Sequence, residues 1–269
     1  MSFAILVTLH LDVLSQDKIS FEIYSNHIGA HYTVDIIYPN DYDSLKQFPI
    51  LYCLDWLAYK DLLSTTQGIL SFSNHTESII LVGIAPADGW ESYFPDRTRD
   101  FTPTHLSSKD SNNPGTSLKS GVTGGGDKFL SFLKHELITR VEIDNELNIS
   151  NRGLFGYSYG GLFTIYALIE DPNLFQKYLI GSPSLWFDDF TLLSRLKNLN
   201  EGHFKYSKKI FLSVGENEIG DQLASFGYAR EYFNSVKNIN FLATIIEDEG
   251  HSSAISSTIV KGLKFLYYK

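Results

Sequence analysis

The chain has 269 residues, of which 43% are hydrophobic and 20% charged, a make-up that suits an ordinary globular protein with one large α/β domain or two small ones. A formal net charge of −9, with no block of Lys and Arg, argues against a nucleic-acid partner, because phosphates need a basic face. Cys53 is the only cysteine, which excludes an intrachain disulfide and a cysteine-based metal site, and no stretch reaches the about 18–20 apolar residues of a membrane span.

The N-terminal run Met1-Ser2-Phe3-Ala4-Ile5-Leu6-Val7 is apolar but has no basic segment, and His10 and Asp12 follow it without a small-residue cleavage site. It reads as a first strand near 3–9 rather than a signal peptide, and the expected compartment is the cytoplasm. Residues 19–25 and 31–38 alternate with period two across a turn at 26–29, which predicts an antiparallel opening. The character then changes. The runs 49–54 and 79–84 are short and continuously apolar, as parallel strands buried on both faces are. Residues 86–126 read as one long irregular insertion, with Trp90, Tyr93, Phe94, Arg97, Arg99 and Asp100 in its first half and Gly124-Gly125-Gly126 at its end. Arg97 and Arg99 are expected to pair with Asp96 or Asp100 and fix that loop. The glycine run lacks the Gly-Lys-Ser/Thr of a phosphate loop. Further helices are predicted near 127–141, 159–170, 221–237 and 252–267. Strands are predicted at 152–155, after the helix at 159–170, and at 209–214 and 241–246. Strands alternating with helices predict βαβ units, a mostly parallel sheet with helices on both faces, and a single domain over 1–269.

Gly156-Tyr157-Ser158-Tyr159-Gly160 forms a G-x-S-x-G turn between the strand at 152–155 and the helix that follows. Such a turn lifts a serine hydroxyl to the sheet's edge and needs glycines where a Cβ would collide with the neighbouring strand or helix. Ser158 is therefore the candidate nucleophile, and the α/β-hydrolase fold is the expected architecture.

A serine hydroxyl needs a base, and the base needs a third group to orient it. In this fold the order is Ser, Asp/Glu, His. Only His203 and His251 follow Ser158. His251 lies after the strand at 241–246, where a base would be carried, whereas His203 precedes a strand and belongs to the opposite edge. The acid should follow the strand at 209–214, in Gly215-Glu216-Asn217-Glu218 or at Asp221. An acid three residues after such a glycine selects Glu218. Glu216 is its close rival, and Asp221 a more distant one that could instead cap a helix. An oxyanion hole needs two backbone N–H groups. Tyr159 would supply one. The turn Leu54-Asp55-Trp56-Leu57 would supply the other, from Leu57 or Trp56. Trp56, Trp90, Tyr93, Phe94, Tyr157 and Trp186 are candidates for an aromatic substrate pocket, against the alternative of core and loop packing. Asp and His do not cluster at metal-ligand spacing, so neither metal nor cofactor is expected. The tripeptides Asn74-His75-Thr76 and Asn148-Ile149-Ser150 match the glycosylation pattern only formally.

The segment Phe155–Phe163 followed by Tyr166-Ala167-Leu168 resembles the nucleophile region of an α/β-hydrolase esterase family. That family includes esterase D, the siderophore esterases, feruloyl esterases and mycolyl transferases. Ser182-Pro183-Ser184-Leu185-Trp186-Phe187-Asp188 is similar to a segment of the siderophore-esterase branch. Further similarity lies at 49–55, 97–104, 125–130 and Gly250-His251, so the resemblance covers roughly residues 20–268. Two positions depart from the family pattern: Trp56 replaces a glycine, and Tyr157 and Tyr159 flank the serine where His or Phe is usual. Trp56 is expected to narrow or wall the acyl pocket.

The resemblance and the residues together imply a serine-dependent carboxylic ester hydrolase with Ser158, His251 and Glu218 as its triad. Its substrate would be a small acyl, aryl or siderophore-type ester. Acyl transfer or thioester hydrolysis would use the same residues. A non-catalytic binding protein on a hydrolase fold is the reading from a different class. Oligomeric state is not legible.

Overall fold

The protein is described from a computed structural model covering residues 17–106, 122–147, 149–199 and 202–269. The strand expected at 3–9, the centre of the 86–126 segment and Asn148 lie outside the described residues. Among those described, eight strands form one sheet. They are β1 (Lys18–Ser25), β2 (Ala30–Ile37), β3 (Phe48–Cys53), β4 (Ile80–Pro86), β5 (Ile149–Tyr157), β6 (Lys177–Gly181), β7 (Lys208–Gly215) and β8 (Ile239–Ile246). Their spatial order is β1-β2-β4-β3-β5-β6-β7-β8. β1 pairs with β2, and β2 with β4, antiparallel; every later pairing is parallel. This is the α/β-hydrolase architecture that the sequence predicts.

Alternate residues of the central strands feed two apolar layers. Tyr52, Val82, Leu154, Ile180 and Leu212 enter the larger one, whereas Leu51, Leu81, Phe155, Leu179 and Phe211 enter the smaller. Because period two sends successive side chains to opposite faces, continuous apolar runs are what a sheet covered on both sides requires. Helices α1 (Trp56–Phe72) and α7 (Ile255–Leu266) cover the smaller layer. The larger is covered by α3 (Gly126–Phe132), α4 (Tyr159–Glu170), α5 (Phe187–Lys197) and α6 (Asp221–Ser235), with Phe101 of α2 (Tyr93–Phe101).

Three helices were not read from the sequence. In α1, Thr65, Thr66 and Gly68 dilute helix propensity, and Thr66, Gln67 and Gly68 are buried, so packing rather than propensity holds the helix. The segment from 86 is not irregular throughout: a 3-10 turn at Gly89–Glu91 leads into α2. α5 opens with Asp188, Asp189 and Phe190 at positive φ, a kinked start that hides its periodicity. The helix predicted at 127–141 begins as α3 and continues as π-helical turns at Leu133–Leu137 and Thr139–Ile143.

The sheet order places the crevice. From β3 the chain passes to β4 on one side and then returns to β5 on the other. Open α/β sheets bind ligands at such a reversal, beyond the carboxyl ends of the strands. The turn after β3 holds Asp55, Trp56 and Leu57; the turn after β5 holds Ser158.

Candidate active site

Ser158 occupies the turn between β5 and α4 with φ 59° and ψ −117°, a region a residue with a side chain enters only under strain. Its neighbours hold it there. The Ser158 N–H donates to Gly181 O at 2.9 Å, while Ser158 O accepts from the N–H groups of Leu162 and Ser184 at 2.9 and 3.1 Å. A Cβ on Gly156 would overlap the carbonyl of Gly160, and one on Gly161 would come within 2.8 Å of Gly181 O. The Ser158 hydroxyl lies 3.4 Å from that of Ser184.

The loop after β7 presents Glu218, which is buried, and the loop after β8 presents His251, whose side chain is 44% exposed. Glu218 Oε2 lies 2.7 Å from His251 Nδ1, which leaves Nε2 of the ring for another partner. Glu218 Oε1 accepts from Ser182 Oγ at 2.6 Å and from the Gly215 N–H at 2.9 Å. Burial by itself would raise the Glu218 carboxyl, but the hydrogen bonds from His251, Ser182 and Gly215 outweigh it and hold the group below its usual range. The two other candidate acids stand elsewhere. Glu216 is exposed and accepts the Asp248 N–H at 2.9 Å. Asp221 is exposed in the first turn of α6, whose N-cap is Gly220. His203 packs beside Phe204 ahead of β7, at the other edge of the sheet.

Ser158 and His251 open onto one cavity of about 810 Å³, whose wall includes Tyr159, Ser184, Trp186 and Ile219. Trp186, expected as a pocket residue, is there, with its ring 6.3 Å from that of Tyr159. Burial pushes the Tyr159 phenol up to about 12 against the opposing Arg97 charge, so it is a neutral wall. Sequence reasoning missed Ile219 and the wall role of Tyr159. Ile219 stands one residue after Glu218 and is 85% exposed, a large apolar side chain beside a candidate acid. That juxtaposition was the available signal.

The other five pocket candidates lie outside it. Trp56 is buried in the smaller layer. Its indole N–H donates to Asp35 Oδ2 at 2.7 Å, and its ring fills the space that a Cβ on Gly83 would need. The left-handed turn at Asp55 (φ 55°) sends the side chain of Trp56 beneath the site. Tyr157 is buried behind His251, its hydroxyl donating to the His251 carbonyl at 2.6 Å. Trp90 and Phe94 pack on Tyr93 and are exposed, and none of the three lines the cavity.

The expected oxyanion donors are main-chain groups at helix starts. Tyr159 is the first residue of α4, and Trp56 and Leu57 open α1 after Asp55. The earliest N–H groups of a helix have no intrahelical acceptor. β3 and β5 are adjacent, so both helix starts meet at the crevice; Leu54 N–H donates to Phe155 O at 3.1 Å across them. Arg97 does not pair on its own helix as expected. It binds Asp55 and, through Nη2, the Tyr157 carbonyl at 3.0 Å. Arg99 does pair with both Asp96 and Asp100. Among the described residues, no group of three or more His, Cys, Asp and Glu side chains is placed to hold a metal ion, and no helix is long and apolar enough to cross a membrane.

The family described as "Putative esterase" matches residues 25–252. The chain belongs to this esterase family. It is 28% identical over 70% of its length to the siderophore enterobactin esterase of Emericella nidulans, of which the match covers 65%. It is 27% identical over 81% of its length to the ferri-bacillibactin esterase BesA of Bacillus subtilis, of which the match covers 78%. The crystal structure of the BES protein from Bacillus cereus superposes with a TM-score of 0.84 at 26% identity, over 96% of this chain and 98% of that one. The fold around Ser158 is thus shared with that structure along nearly the whole length of both chains.

Proposed function

We propose that the protein is a serine-dependent carboxylic ester hydrolase that works through an acyl-enzyme on a small acyl, aryl or siderophore-type ester. One observation carries the reading: a buried carboxylate holds the imidazole of His251 by Nδ1 at 2.7 Å, and that imidazole shares a cavity with a serine on a strained strand-to-helix turn. His251 takes the Ser158 proton as the hydroxyl attacks the ester carbonyl. Glu218 fixes the ring and balances the charge it acquires. The N–H groups of Tyr159 and Leu57 receive the oxyanion. His251 then protonates the leaving alcohol and activates water for deacylation. In the resting site Ser158 Oγ faces Ser184 at 3.4 Å, and the mechanism requires the hydroxyl to turn to His251 when substrate enters. A cavity of this size, with the rings of Trp186 and Tyr159 in its wall, supports an aryl or cyclic ester as substrate. The relatives named for siderophore esters support that end of the range.

The test is hydrolysis of short p-nitrophenyl esters together with labelling by a fluorophosphonate. Wild type should turn over and be labelled at Ser158, and Ser158→Ala should do neither. Undiminished turnover by purified Ser158→Ala would remove the serine from the mechanism.

A further inference from the structure

Tyr157 and Ser182 have no part in the chemistry just described, yet both reach the pair that does it. Tyr157 is the last residue of β5 and the immediate neighbour of Ser158. Its phenol is 2% exposed, and burial pushes it well up, so it is a protonated donor. The hydroxyl donates to the main-chain carbonyl of His251 at 2.6 Å, and the two rings lie 5.5 Å apart. Ser182, in the turn after β6, gives its proton to Glu218 Oε1 at 2.6 Å, and its oxygen lies 3.0 Å from the Tyr157 hydroxyl. Ser182 is held at φ 39°, a conformation that an ordinary loop serine would avoid.

The consequence is geometric. His251 stands on an irregular loop with 44% of its side chain exposed, so packing alone does not fix it. Glu218 controls one ring nitrogen. The main chain beneath the ring is held by Tyr157, from the strand that ends in Ser158. The spacing between nucleophile and base is thereby carried through one covalent neighbour and one short hydrogen bond. A His or Phe at this position would lack a phenol to make that bond.

Resting on the ester-hydrolase reading, we propose that Tyr157 is a positioning residue for the general base. Its phenol fixes the His251 main chain relative to Ser158, and Ser182, through its own hydrogen bond to Glu218, tethers the other side of the same base. Tyr157→Phe should lower kcat for p-nitrophenyl acetate roughly 3- to 10-fold, the kinetic equivalent of one neutral hydrogen bond, at unchanged KM. In a His251→Ala background the same substitution should leave the residual rate unaltered, because the group it acts through is gone. Wild-type kcat in Tyr157→Phe, or an equal loss in both backgrounds, overturns the proposal; the latter would mean that Tyr157 serves only the turn itself. Should Tyr157→Phe not fold, Ser182→Gly decides, since glycine suits the positive φ there. It should lower kcat several-fold at unchanged KM, with no further loss in a Glu218→Gln background, and a loss that persists there overturns the tether. Failure of the ester-hydrolase reading looks different: wild-type protein would leave p-nitrophenyl acetate intact.

Discussion

Arg97 of α2 is paired with Asp55 in the turn after β3, Nε to Oδ1 at 2.6 Å, with side chains only 14% and 1% exposed. Asp55 also takes the Tyr93 hydroxyl at 2.8 Å, and its second oxygen is buried without a partner among the described residues. The same guanidinium donates to Tyr157 O, so one side chain joins the turn after β3 to the strand end that carries Ser158. Removing one member of a buried pair strands the other charge, which costs about 3–5 kcal/mol. Arg97→Met should lower stability by that order in urea unfolding. Replacing Asp55 by Leu in the same molecule should recover part of the loss. A single variant as stable as wild type would show that the pair holds nothing together.

The backbone of Ser158 gives a second prediction. Its φ of 59° with ψ −117° suits glycine, and strain of this kind costs of order 1–3 kcal/mol. Ser158→Gly and Ser158→Ala should both lose turnover, but only the glycine variant should gain stability, by about 1–2 kcal/mol. Equal thermal midpoints for the two variants would mean that the turn is relaxed.

Glu218 ties activity and stability to pH. Its carboxyl is held low in the folded protein, by hydrogen bonds that overcome burial. A group depressed on folding stabilises the native state fully above its unfolded pKa, about 4.3 for Glu, and loses that contribution as pH falls through the folded value. The stability difference between wild type and Glu218→Gln should therefore be constant near neutrality and change only in acid, visible in urea midpoints taken down to about pH 3. The same substitution should reduce kcat by about 10²–10⁴-fold, because an amide no longer selects the imidazole tautomer. Comparable losses in Glu216→Gln instead would move the acid role two residues back along the loop.

The strand-turn-helix around Ser158, and the meeting of His251 with the carboxylate three residues after Gly215, were legible because each rests on local sequence: period-two or continuous apolar runs, glycines at a tight turn, a carboxylate at a strand's end. What was not legible depends on where a side chain goes after the turn. Trp56 reads as a pocket residue until the left-handed Asp55 turns it under the sheet to meet Asp35, 21 positions earlier in the chain. Arg97 reads as a loop cation because Asp96 and Asp100 are near in sequence, while its actual partner lies 42 positions away. Helix α1 stayed hidden because its buried Thr66, Gln67 and Gly68 are chosen by packing, which local pattern does not report.

The charge around the cavity leads to a last prediction, on substrates. The segments after β7 and β8 carry Glu216, Glu218, Asp221, Glu247, Asp248 and Glu249, and among the described residues that line the cavity there is neither Lys nor Arg. Arg97, near the serine, is already matched by Asp55. An anionic ester therefore approaches through a repulsive field and a cationic one through an attractive field. Salt weakens both, since the Debye length shrinks from about 30 Å at 0.01 M to about 8 Å at 0.15 M. Across that range kcat/KM should rise for p-nitrophenyl hemisuccinate, fall for a choline ester, and stay level for neutral p-nitrophenyl acetate. Asp221→Asn should narrow the spread without altering the neutral ester. A hemisuccinate rate that falls with salt would instead require a cation at the mouth, and would make anionic esters the better substrates.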